Sequence, residues 1–187
     1  MHLRIQQLWN GEPAGADEWA TCALGVDSAS ASLTVNVEAV FYDDPPPSQA
    51  VGSTAELWNH EVVELFLFGD GERYLEVELG PHGHHLVLQL AGRRQVFDRV
   101  LHVDYSAQRE IPNRRWSGAL RLPLGLLPPG VARVNAHALH GSSAARRYLS
   151  AAPSPAATRP DFHERSAAMP IAPQLIAELG SCSRREC

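Results

Sequence analysis

From Leu33 to Phe41 the chain alternates: Leu33, Val35, Val37, Ala39 and Phe41 share one face, and Thr34, Asn36 and Glu38 the other. A period of two marks a half-buried β-strand. A second alternating pair follows in ELWNHEVVELFLFGDGERYLEVELG, where Asp70-Gly71 is a strong two-residue hairpin signal. With those two residues as the turn, Phe68 faces Arg73, Phe66 faces Leu75 and Glu64 faces Val77. One predicted face then carries Val62, Glu64, Phe66, Phe68, Leu75, Val77 and Leu79. The other carries Glu61, Val63, Leu65, Leu67, Tyr74, Glu76 and Glu78.

Further strands are predicted at His85–Leu90, Val100–Tyr105, Trp116–Leu122 and Val131–His140, with a short edge strand in Ala144–Tyr148. Gly92, Pro112, Pro128-Pro129-Gly130 and Gly141 punctuate them as turn residues. The proline-rich segment Asp43–Thr54 reads as a loop, because consecutive prolines cannot continue a sheet ladder. Ala151–Pro160 is a loop or linker, and PQLIAELG from Pro173 a short helix. Many short strands with frequent turns predict an all-β fold, an antiparallel β-sandwich of jelly-roll type. The expected organisation is one domain over 1–172 and a helical or irregular tail over 173–187.

At 187 residues, 44% apolar and 20% charged, the chain has an ordinary globular composition. Its net charge of −5, with basic residues gathered no further than scattered pairs such as Arg184 and Arg185, argues against nucleic-acid binding. Lysine is absent, so every fixed positive side chain is an arginine, suited to forked hydrogen bonds. No apolar run has signal-peptide or membrane-spanning length, which makes a cytoplasmic protein without a membrane partner the expectation. Cys22, Cys182 and Cys187 lack metal spacing and are expected as reduced thiols.

Glu64 is the first anomaly, because its predicted face is otherwise apolar. A carboxyl there has to be paired with an arginine or histidine, protonated, or turned toward a ligand. Trp58 precedes the strand and is either a lid over the core or a platform for a ligand. The GPHGHH turn gathers His82, His84 and His85, and His140 and His163 add imidazoles elsewhere. Either these brace turns, or His82, His85, His140 and His163 supply a divalent metal site. A glycosidase pair is not read from Glu61 and Glu64, since that spacing puts them on opposite strand faces. Glu76 and Glu78 share a face, which a mixed strand commonly exposes to water. No nucleophile elbow, phosphate loop or dinucleotide fingerprint appears.

In ELWNHEVVELFL, RYLEVELGPHGHHLVL, VNAHALHG and RPDFH the chain resembles a family of small uncharacterised proteins that includes a vertebrate open-reading-frame product. The resemblance covers roughly Phe41 to Ile171. That family in turn looks like family-nine carbohydrate-binding modules and related haem- and sugar-binding sandwiches, through a W-x-x-x-x-x-E pattern and strand order. The resemblance implies sugar contact by Trp58 and Glu64. A second tryptophan closes the sugar in those modules; here only Tyr148 and Phe162 offer rings toward the C-terminus. The haem-binding relatives use methionine and histidine ligands, and beyond Met1 only Met169 is available, in an apparent loop, so no haem is expected. The uncharacterised family's motifs also include His82, His85, Asn135, His140, Arg147, Tyr148, Asp161 and His163.

The leading expectation is a non-catalytic domain that binds a saccharide or similarly hydroxylated small molecule without a cofactor. Its expected ligand-binding set is Trp58, Glu64, His85, Asn135, Arg147, Tyr148 and His163. The alternatives are a metal-dependent or His-based enzyme built on His82, His85, His140 and His163, and a structural or interaction module. Oligomeric state has no sequence signal.

Overall fold

The computed structural model describes residues 1–183; the Arg184–Arg185 pair and Cys187 lie outside the described residues. Two antiparallel sheets face one another. The smaller contains β1 (His2–Ile5), β3 (Ala20–Asp27), β4 (Ser32–Val40), β10 (Arg115–Pro123) and β9 (Asp104–Glu110), side by side in that order. The larger runs β2 (Gln7–Leu8), β12 (Arg147–Ser150), β11 (Arg133–His140), β5 (Val62–Phe68), β6 (Arg73–Leu79), β7 (His85–Ala91) and β8 (Val96–Val100). A two-residue strand, β13 (Met169–Pro170), pairs with β11. The expected antiparallel sandwich is therefore the fold.

Alternation decides which side chains fill the space between the sheets. Leu33, Val35, Val37, Trp116, Leu120 and Leu122 from β4 and β10 meet Val63, Leu65, Leu67, Leu75, Val77 and Leu79 from β5 and β6 in one apolar cluster. Each such side chain contributes about 1.5–3 kcal/mol by leaving water. A second cluster lies on the opposite, outer face of the larger sheet. It contains Val62, Phe66, Phe68, Tyr74, Leu86, Leu88, Leu90 and Leu139. β5 is thus buried on both sides, which explains its nearly unbroken apolar sequence VVELFLF. The helix α1 (Pro173–Ser183) begins at the proline expected to start it and seats Leu175 and Leu179 against the inner core.

The hairpin departs from its predicted register. Phe68 pairs with Tyr74, Phe66 with Glu76 and Glu64 with Glu78, one residue away from the pairing that Asp70-Gly71 alone implies. Such a slip exchanges the two faces of β6 completely. Leu75, Val77 and Leu79 join the inner core, while Tyr74, Glu76 and Glu78 stand beside Glu64 on the outer face. The cause is tertiary. The Asp70 N–H donates to the Pro129 carbonyl at 2.7 Å, and the Arg165 guanidinium donates to the Gly69 and Gly71 carbonyls. Gly69 lies so close to the Pro128-Pro129 turn that a Cβ there would sit 2.3 Å from the Pro129 oxygen. The Gly69 N–H still donates across the turn to the Arg73 carbonyl at 3.0 Å, so the connection is longer than Asp70-Gly71 alone.

Other departures are smaller. The strand expected over Val100–Tyr105 is the junction between β8 and β9, which belong to different sheets. The expected edge strand near Tyr148 is β12, with β2 outside it, and Met169 lies in β13 rather than a loop. The three N-terminal strands β1, β2 and β3 were not anticipated.

Candidate ligand-binding cleft

The outer face of the larger sheet forms the floor of a cleft of about 770 Å³. Glu64 and Phe66 from β5, Glu76 from β6, Leu88 and Leu90 from β7 and Leu139 from β11 make that floor. Its walls are the turn carrying Trp58, the Ser142–Arg146 segment with Tyr148, the Arg94 loop, and the strap from Arg159 to His163. Apolar plates interrupted by a few aimed polar groups are the usual surface of a small-molecule site.

Three carboxyls are packed into this face. Glu64 is only 2% exposed, lines the cleft, and makes no hydrogen bond or ion pair among the described residues. Burial, followed by the neighbouring Glu76 charge, pushes its carboxyl well above the usual carboxylate range. Glu78, which faces Glu64 across the hairpin, is fully buried; neither oxygen has a hydrogen bond of ordinary geometry, the Glu76 carboxyl and the Trp58 backbone being its polar neighbours. Burial and then the two adjacent carboxyls raise it strongly. Burial also pushes Glu76 up to about 7. Carboxyls in this state are protonated at acidic pH and act as hydrogen-bond donors as well as acceptors.

The wall groups are held by their own contacts. Arg146 donates to the carbonyls of Gly141 at 2.8 Å, of His60 at 2.9 Å and of Trp58, so one guanidinium ties the tryptophan turn to the opposite loop. It also lies over the Tyr148 ring. The Trp58 side stays open, the residue being 41% exposed. Arg93 and Arg94 both pair with Asp161, which fastens the strap, and Phe162 stacks on His137 with ring centroids 3.9 Å apart.

His163 lies 2.8 Å from the Tyr74 hydroxyl through Nδ1, and Tyr74 already accepts the Arg94 backbone N–H. The contact suits either tautomer of a neutral ring: an unprotonated Nδ1 accepts the tyrosine O–H, and a protonated one donates to the phenolic oxygen. Burial, then Arg94, lowers this imidazole to about 4, consistent with a neutral ring.

Of the residues expected to bind ligand, Trp58, Glu64, Tyr148 and His163 line the cleft. Three do not. His85 shares the face of Leu79, with its ring edge toward Tyr105. Asn135 is a buried brace: its amide donates to the Ala152 carbonyl at 2.8 Å and its oxygen accepts the Ala152 N–H at 3.0 Å. Arg147 pairs with Glu18 through two hydrogen bonds of 2.8 and 2.7 Å; its neighbour Arg146 is the arginine of the cleft.

The metal candidates are dispersed. His82 meets Arg109, His140 stacks on Tyr42 and lies 3.3 Å from Glu18, and only His163 reaches the cleft. Among the described residues no three histidine, cysteine or acidic side chains are grouped to hold a metal ion. Glu76, expected to face water, is a floor residue, and the correct hairpin register would have placed it. Arg94 and Arg146 had no sequence signal. The Asp43–Thr54 loop stays out of the cleft but braces its rim: the Asp44 carboxylate accepts the Gly141 N–H.

An antiparallel β-sandwich bearing an aromatic- and carboxyl-lined cleft on its larger sheet is the class this geometry defines. In fold it is similar to a candidate carbohydrate-binding protein from Bacteroides uniformis, with a TM-score of 0.64 at 14% identity, covering 90% of this chain and 84% of that one. A more distant likeness is to a family 9 carbohydrate-binding module from Caldicellulosiruptor kristjanssonii, solved with cellotriose: TM-score 0.49, 17% identity, 78% of this chain and 70% of that one. No family profile matches.

The chain belongs to the UPF0462 family. It is 37% identical over 171 residues to the mouse C4orf33 homolog, covering 87% of this chain and 86% of the mouse protein. The human C4orf33 protein is 36% identical, with 83% of its length covered, and the Danio rerio homolog 40% identical, with 84% covered.

Proposed function

We propose that this protein binds a saccharide or a similarly hydroxylated small molecule in the outer-face cleft. The observation that carries the reading is the meeting of an open indole, Trp58, with a buried and otherwise unengaged carboxyl, Glu64, in one concavity. An aromatic plane packs against the C–H face of a sugar ring, while a carboxyl beside it bonds to hydroxyls. Tyr148 and Phe162 offer further rings, and His163 presents a neutral imidazole held by Tyr74. The dispersal of His82, His85 and His140 weighs against the His-based enzyme as the first reading.

Titration calorimetry against a panel of mono- and disaccharides, repeated with Trp58→Ala and Glu64→Gln, tests the assignment. Loss of the indole is expected to weaken binding by about tenfold or more, equivalent to at least about 1.4 kcal/mol. Unchanged affinity in both variants would remove the assignment.

A further inference from the structure

We propose that the cleft takes hydroxylated ligands that carry a primary amine, with the ammonium group seated against the Glu64 and Glu76 carboxyls. This rests on the saccharide reading and narrows it. The protein withholds internal counter-cations from these acids. The chain has no lysine, and two of the three arginines lining the cleft are engaged elsewhere. Arg146 is spent on three backbone carbonyls, and Arg94 pairs with Asp161 at 3.1 Å. Arg159 is exposed at the mouth. Among the described residues no arginine forms an ion pair with Glu64, Glu76 or Glu78; His163 Nδ1 stands 3.9 Å from Glu76 and is hydrogen-bonded to the Tyr74 hydroxyl.

Buried carboxyls without a counter-cation are costly as charges, so they hold protons or await a cation from outside. Glu78, beside them, is fully shielded, and its oxygens lack ordinary hydrogen bonds. An ammonium group offers three N–H donors to the acceptor oxygens of Glu64 and Glu76. Each carboxyl that pairs with it gives its proton to solvent, so R–NH3+ and COOH become R–NH3+···−OOC plus one released H+. The Arg146 and Arg94 charges reach Glu64 and Glu76 from the walls, but burial outweighs them and both carboxyls stay raised. The rings of Trp58, Tyr148 and Phe162 are left to hold the body of the ligand.

The experiment compares glucosamine, glucose and glucuronate by calorimetry near neutral pH, in two buffers of different ionisation enthalpy. The amino sugar is expected to bind at least about tenfold more tightly than glucose, with net proton release. Glu64→Gln and Glu76→Gln, verified as folded by their thermal transitions, are each expected to abolish that preference, bringing glucosamine to the affinity the same variant shows for glucose. Equal affinity for glucosamine and glucose, tighter binding of glucuronate, or a preference that survives both substitutions overturns the proposal and leaves the saccharide reading standing. Absence of binding by all three sugars sinks this proposal, and the saccharide reading falls only if the wider panel is also silent.

Discussion

The two faces of the larger sheet are buried to much the same degree and built on opposite principles. The inner face is apolar along β5 and β6, with Val63, Leu65, Leu67, Leu75, Val77 and Leu79 interlocked against the smaller sheet. The outer face places Glu64, Glu76, Glu78 and His137 among Phe66, Phe68, Tyr74 and Leu88, all of them buried. Burial of apolar groups contributes to stability, whereas burial of unpaired acids opposes it. A sheet that carries both has its stability supplied by one side and its chemistry displayed on the other.

The strongest way to test this contrast is to make a cavity on the inner face. Leu75→Ala removes a fully buried side chain from the inner core and is expected to cost about 2–5 kcal/mol in urea denaturation. Three residues along the same strand and on its opposite face, Glu78→Met is expected to act with the opposite sign. Removing an unpaired buried acid leaves stability unchanged or raises it by about 1–3 kcal/mol at neutral pH. A large destabilisation by Glu78→Met would mean that the acid is an integral structural partner, and the contrast between faces would fail.

A pH series sharpens the same comparison. The Glu76 carboxyl is raised by burial from 4.5 to about 7, so between those values the unfolded chain releases a proton that the folded chain keeps. Its contribution is complete below the unfolded value and lost as pH rises through the folded one. Glu76→Gln is therefore expected to flatten the decline in stability between pH 4.5 and about 7, by on the order of 1–2 kcal/mol across the interval. An identical slope in wild type and variant would show that Glu76 is already ionised in the folded protein. The smallest effect is expected at Arg147, whose pair with Glu18 is more than one-third exposed on the arginine side. Arg147→Ala is expected to change stability by less than about 1 kcal/mol and to leave sugar binding intact. Arg146→Ala, next to it in sequence, is expected to loosen the Trp58 turn and weaken binding in the same calorimetric assay.

Sequence periodicity was a sound guide wherever one face of a strand was wet. β4 and β10 alternate cleanly, and the face predicted from Leu33–Phe41 is the buried one. It failed at the hairpin, where both faces of β5 and β6 are buried and alternation no longer distinguishes inside from outside. Turn chemistry then had to decide the register, and it was overruled by Pro128-Pro129 and Arg165, residues far along the chain. The site inherited that ambiguity. Trp58, Glu64, Tyr148 and His163 reached the cleft as motif residues, whereas Glu76 was hidden by the slip and Arg146 by adjacency to a more motif-like Arg147.

What the sequence determined by itself was the class of fold and the presence of an acid in an apolar strand, because both follow from spacing along a single segment. Tertiary structure alone decided that three acids would share one face, and that Arg146 and Arg94 would be committed to carbonyls and to Asp161. Those outcomes depend on a one-residue offset and on contacts between distant loops, neither of which leaves a local periodic signal.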